Sequence, residues 1–201
     1  MALEQSGIEY EYVEIDLKNK PEWFLKEVNP EGKVPTIKYG DEYLIESNVI
    51  TEFIADIAPA SAGLRLSDPF ELAKGRLMTE KFMGLIIPIW GNVLFGDGSK
   101  VGSLLEAVEK FQPSLGTPSP FFGGSAVPTV PEIMVVPFIA RLYLFTDAGV
   151  LPASIKTSLE TDAKYATFNA WAKALIASPS HSAIFQPDVI MAYLNKYYFK
   201  K

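Results

Sequence analysis

The sequence predicts an α/β unit followed by an all-helical region, and three observations carry that expectation. Apolar residues alternate with period two only within residues 13–45, whereas residues 69–198 carry the three-to-four-residue spacing of helices. Between them, residues 58–68 turn to Pro, Ala, Ser and Gly, the composition of a connection. The expected division is residues 1–60, a linker at 61–68, and residues 69–201.

Residues 1–7 read as the end of a helix, since Ala2, Leu3, Glu4 and Gln5 are good helix formers and Gly7 suits a left-handed cap. Val13, Ile15 and Leu17 alternate with Glu14, Asp16 and Lys18, which predicts a half-buried strand over 13–18. Pro21 opens a short helix over 22–28, closed by Asn29-Pro30. Residues 34–38 and 42–45 flank Tyr39-Gly40-Asp41 as a hairpin. Ser47 then stands at a helix N-cap, with Val49, Ile50, Phe53, Ile54 and Ile57 on one face.

Beyond the linker, helical patterns cover residues 69–94, 101–111, 131–146, 153–177 and 187–198, which predicts a bundle. Pro88 should kink the first of them. Residues 112–131 hold five prolines and three glycines and read as a long irregular connection. Thr129-Val130-Pro131-Glu132 fits a capping box with proline in the first turn. Trp171, Phe168 and Leu175 are expected in the core, and Tyr193, Tyr197 and Tyr198 either to close a pocket or to dock the last helix. His181 is expected to be a solvated loop residue. Gly96-Asp97-Gly98-Ser99 lacks a preceding strand and a lysine in register, so it reads as an interhelical loop and not a phosphate site.

Composition narrows the function. With 201 residues, 48% of them hydrophobic, the chain can bury one sizeable core or two small ones packed together. A net charge of -6, with no Lys/Arg block before the final two residues, argues against nucleic acid and anionic membrane as partners. The absence of cysteine excludes disulfides, thiolate metal sites and a protein thiol nucleophile; with a single histidine as well, no metal site is expected. Residues 1–16 show no signal-peptide pattern, and no apolar run approaches the roughly 20 residues that span a bilayer. A cytoplasmic protein is expected.

Leu17-Lys18-Asn19-Lys20-Pro21-Glu22-Trp23-Phe24, Asn29-Pro30-Glu31-Gly32-Lys33-Val34-Pro35 and Leu44-Ile45-Glu46-Ser47 resemble, in order, stretches of the glutathione transferases, the omega class most closely. Ser67-Asp68-Pro69, Phe121-Phe122-Gly123-Gly124 and Thr129-Val130-Pro131-Glu132 continue the resemblance into the helical region. It implies a thioredoxin-like N-terminal domain followed by the family's all-helical C-terminal domain, glutathione as cosubstrate or catalytic thiol, and a homodimer. The same resemblance implies a cis bond at Val34-Pro35, whose exposed backbone would pair with the cysteinyl unit of glutathione as an added strand. Glu46 and Ser47 would hold the γ-glutamyl end, and Lys20, or alternatively Lys33, the glycine carboxylate.

Aligned through Gly7, Met1 falls within the family's first helix. The first strand and the Tyr, Ser or Cys that serves the thiol are therefore expected to have no counterpart, which leaves a truncated thioredoxin-like domain and the catalytic residue unassigned. The sheet is expected to compensate by direct re-pairing or through a second subunit. Phe82, Met83, Ile86, Ile87 and Trp90 form an apolar stripe that would line a substrate pocket or else serve as core or interface. Two functions follow as expectations. One is an enzyme that conjugates glutathione to a small hydrophobic electrophile, or isomerises a conjugated double bond by reversible thiol addition. The other is a non-catalytic module for ligand binding or protein interaction.

Overall fold

The computed structural model describes residues 1–96 and 98–198; Asp97 of the Gly96-to-Ser99 stretch and the terminal Lys200 and Lys201 lie outside them. A short helix α1 (Ala2–Ser6) ends at Gly7, whose φ of 69° is the left-handed cap expected. A single wide helical turn, Phe24–Val28, follows and buries Phe24. Strands β1 (Thr36–Tyr39) and β2 (Glu42–Ile45) form the hairpin, in a register that pairs Thr36 with Ile45 and Tyr39 with Glu42. Gly40, at φ 60°, takes the first turn position, where a residue with a Cβ is disfavoured. Helix α2 (Ser47–Ile57) buries Ile50, Ile54 and Ala55.

The strand expected over residues 13–18 is not formed. β1 and β2 make up a two-stranded sheet, and residues 13–18 are irregular, with Val13 and Leu17 exposed and a turn in which the Asn19 N–H donates to the Asp16 carbonyl. Alternation makes a segment fit for a strand; a neighbouring backbone must still supply the ladder, and none lies beside it among the described residues. The expected re-pairing of the sheet halves does not occur in this chain.

The helical region comprises α3 (Pro69–Leu85), α4 (Ile87–Phe95), α5 (Val101–Phe111), α6 (Val130–Asp147), α7 (Ala153–Thr161), α8 (Ala166–Ile176), the short α9 (Pro179–Ser182) and α10 (Pro187–Tyr197). The first predicted helix breaks into α3 and α4 at Ile86, two residues before Pro88. Residues 153–177 also divide. Asp162 adopts an extended backbone and its side chain accepts from the Lys164 N–H at 3.0 Å, capping a new turn inside what the periodicity reads as one helix. Met78, Leu104, Phe111, Val135, Ile139, Trp171 and Leu175 lie at the centre of the core.

Helix α6 serves two cores at once. Val130 and Ile133 join Ile50, Ile54 and Ala55 of α2 and Ala62 and Leu64 of the connection in a second cluster, while Val135, Val136 and Ile139 belong to the main one. Its start is fixed by Glu132, which is fully buried. One carboxylate oxygen accepts from the Thr129 N–H (2.9 Å) and hydroxyl (3.0 Å), the other from the Phe122 N–H and Trp171 Nε1, both at 2.8 Å. This is the expected capping box, extended to the loop before α6 and to α8. Burial pushes the Glu132 carboxyl above its ordinary range, against the opposing pull of these donors.

His181 departs from expectation. It is buried in α9, its ring stacks on Phe185 with centroids 4.7 Å apart, and Nδ1 donates to the Ile176 carbonyl at 2.9 Å. Among the described residues its other ring nitrogen is buried without a partner, and burial, with the N-terminal ammonium and then Arg141 as lesser causes, holds the imidazole below its ordinary value.

Two predictions follow from these groups. Glu132→Gln turns an amide NH₂ toward one of the two pairs of buried donors, at about 1–3 kcal/mol for each donor left unpaired. Thermal unfolding should show Tm several degrees lower, at roughly 2–4 °C per kcal/mol for a chain of this size. For His181 the unfolded chain binds the proton more readily than the folded one, so stability is present at neutral pH and falls as pH drops through the unfolded value of about 6.5. Unfolding midpoints at pH 7.5 and 5.5 should differ more in the wild type than in His181→Phe.

Candidate glutathione site

The first candidate surface is built by the loop between Val28 and β1 together with the start of α2. Asn29 is only 2% exposed and organises the loop: its Oδ1 accepts from the Glu31 N–H at 3.0 Å, and its Nδ2 donates to the Lys33 carbonyl at 2.9 Å and to Thr36 Oγ1 at 3.2 Å. Its own carbonyl accepts from the Gly32 N–H at 2.8 Å. Gly32 has φ 64°, and a Cβ there would sit 2.9 Å from Leu25 Cδ2 and 3.2 Å from Lys20 Nζ, so the loop and the Lys20 side chain are in close contact. The Val34–Pro35 peptide is cis, and Val34 is 44% exposed.

The start of α2 converges on this loop. Lys33 Nζ lies 2.7 Å from Glu31 and 3.8 Å from Glu46. The hydrogen bond to Glu31, with the charges of Glu31 and then Glu46, holds the Lys33 ammonium above its ordinary value. Lys33 is thus occupied by acidic partners, whereas Lys20 makes no ion pair among the described residues. Ser47 is the first helical residue and not the cap, and it is exposed; Glu46 takes the cap position. The first bond back along the helix runs from the Ile50 N–H to the Glu46 carbonyl, so the N–H groups of the first turn face outward unclaimed by the helix.

Glu46 has φ 70° and ψ 116°, and it is the one non-glycine residue with positive φ among the described residues. Such a backbone costs on the order of 1–3 kcal/mol and points to function where nothing in folding requires it. Lys20, Lys33, Val34, Pro35, Glu46 and Ser47 are therefore brought to one exposed surface.

The second candidate surface does not gather as expected. Phe82 and Ile86 are 1% and 3% exposed, and Phe82 packs edge-on against Phe111 at 5.4 Å, so both belong to the core and line no pocket. The break at Ile86 turns them inward. Met83, Ile87 and Trp90 are half-buried, Trp90 stacking on Phe145 at 6.4 Å. Two surface depressions, of about 460 Å³ beside α1 and about 520 Å³ between α4 and α7, include none of the predicted residues. An open peptide-binding edge requires no enclosed cavity. Tyr193, Tyr197 and Tyr198 cluster at the end of α10, with Lys18 Nζ 5.3 Å from the Tyr197 ring and Phe95 5.6 Å from Tyr198, so this helix docks onto the turn that precedes Lys20.

Sequence reasoning did not assign Asn29 a place in the site. Its signal was an Asn followed by Pro-Glu-Gly, the pattern of a side chain that bonds the backbone two residues on.

Comparison with known proteins agrees with this layout. Residues 1–62 match the family description "Glutathione S-transferase, N-terminal domain". Mouse (Mus musculus) glutathione S-transferase omega-1 is 32% identical over 146 residues, 71% of this chain and 60% of that protein. The Arabidopsis thaliana chloroplastic glutathione S-transferase DHAR3 is 31% identical over 128 residues, 63% of this chain and 46% of that protein. The chain thus spans about half the length of these relatives. The crystal structure of glutathione transferase Omega 2C from Trametes versicolor superposes with a TM-score of 0.88 at 27% identity, covering 97% of this chain and 90% of that one. The chain is thus similar to the glutathione transferases, the omega class among them, in its first 62 residues and in its overall fold. In this transferase-like chain the thioredoxin-like part is the α1-to-α2 region and the all-helical part runs from α3 to α10. No helix among the described residues is long and apolar enough to cross a membrane.

Relief of the Glu46 backbone gives a test. Glu46→Gly should leave Tm unchanged or raised, since glycine adopts positive φ without the Cβ penalty, whereas the same change at the helical Asn48 should lower it.

Proposed function

We propose that the chain binds glutathione as an extended strand along Lys33, Val34 and Pro35. In this reading the γ-glutamyl end lies at Glu46 and Ser47, and the glycine carboxylate at Lys20. The observation that carries it is the strained Glu46 backbone at the start of α2, with the Glu46 carboxylate 3.8 Å from Lys33 Nζ on the same exposed surface as Val34. The exposed first turn of α2 offers N–H donors and the positive end of the helix to a carboxylate, and Glu46 an acceptor to an ammonium group. Relatives that carry the name glutathione S-transferase add to the support.

On that reading the protein is a glutathione-dependent enzyme acting on a small hydrophobic electrophile. It either forms the thioether conjugate or adds and eliminates the thiolate to isomerise a conjugated double bond. Met83, Ile87 and Trp90 are the members of the apolar stripe left accessible to such a substrate. A cytoplasmic location, the division at residues 61–68 and a homodimer through the first helices of the C-terminal region belong to the same proposal. A non-catalytic binding module is the second reading, favoured by the loss of Phe82 and Ile86 to the core.

Calorimetric titration with glutathione tests the binding. The wild type should bind, and Ser47→Ala and Glu46→Ala should each weaken binding about tenfold or more, the worth of a charge-assisted hydrogen bond. A wild type that does not bind overturns the proposal. A panel of unsaturated carbonyl compounds then separates the readings: turnover above the uncatalysed rate supports the enzyme, and binding without turnover the module.

A further inference from the structure

We propose that Asn29 is the positioning residue of the glutathione loop, setting the backbone of residues 31–34 that the ligand would meet; this rests on the glutathione reading above. The Lys33 carbonyl accepts from Asn29 Nδ2 at 2.9 Å and from Thr36 Oγ1 at 3.0 Å, the Glu31 N–H donates to Asn29 Oδ1 at 3.0 Å, and the Gly32 N–H donates to the Asn29 carbonyl at 2.8 Å. Among the described residues these bonds, all made by Asn29 or Thr36, are the ones that tie the backbone of residues 30–35. Asn29 itself is anchored, because its N–H donates to the Phe24 carbonyl at 2.8 Å and Phe24 is buried. A rigid base, a single amide that fills both hydrogen-bonding roles, and an exposed rim at Val34 together make a loop whose shape is decided one layer below the surface.

An amide is required because the side chain must accept at one atom and donate at the other. Asn29→Asp keeps the shape and the acceptor for Glu31 but sets a carboxylate oxygen against the Lys33 carbonyl, two acceptors facing each other. The loop loses its fixed geometry while the hydrophobic clusters are untouched. A ligand binding such a loop must order it, which lowers affinity without altering the chemistry of a bound thiol.

The test is Asn29→Asp, with Asn29→Ala as a second variant, measured where circular dichroism shows both fully folded. Glutathione affinity should fall about tenfold. In steady-state assays with an electrophile that the wild type turns over, KM for glutathione should rise by a similar factor and kcat change less than twofold. Amide exchange should quicken at residues 31–34 and stay unchanged in α6. Wild-type affinity and exchange in both variants would overturn the inference. Failure of the wild type to bind glutathione would instead overturn the functional reading, and the exchange of residues 31–34 would still decide whether Asn29 orders the loop.

Discussion

The buried carboxylate of Glu132 is the interaction on which the rest of the structure depends. Its four hydrogen bonds join the start of α6 to the loop at Phe122, ten residues before it, and to the middle of α8, 39 residues beyond it. A buried acid is costly alone, and here every donor facing it would be equally costly without it. The network therefore fixes the register in which α6 enters the core. Gly75 on α3 lets the helix approach, since a Cβ there would fall 2.7 Å from Pro131 Cγ.

From the start of α6 the order passes to the candidate site. The Val130 N–H donates to the Leu64 carbonyl at 2.9 Å, and Val130 and Ile133 cover the buried face of α2. Gln5 adds a second tie, donating to the Ala62 and Pro128 carbonyls at 3.0 and 2.7 Å and accepting from Ser180. Arg65 clamps the connection to α2 through Glu52 and Asp56, both at 2.6 Å. Held on this side, the first turn of α2 projects from the protein with its N–H groups outward. A strained residue such as Glu46 persists only where its surroundings are fixed in this way.

The two candidate surfaces are made by different physics. The loop at Asn29 is ordered by hydrogen bonds within a few residues, so its members stay together and stay exposed. The apolar stripe of α3 and α4 is distributed by packing. Once Pro88 ends the run, the residues on either side of Ile86 follow two helix axes, and the inward pair enters the core while Met83, Ile87 and Trp90 remain at its edge.

The sequence by itself determined the elements whose causes are local. The hairpin at Gly40, the capping box at Thr129, the break near Pro88 and the end of the short helix at Asn29-Pro30 were all legible because turn and cap chemistry act over a few residues. Tertiary structure alone decided the rest. It left residues 13–18 without a ladder, buried His181 beside Phe185, divided the apolar stripe, and bent Glu46 into a backbone no propensity would predict. The reason is the same in each case: periodicity records what a segment is able to bury or pair, and only the neighbours brought by the fold settle whether it does.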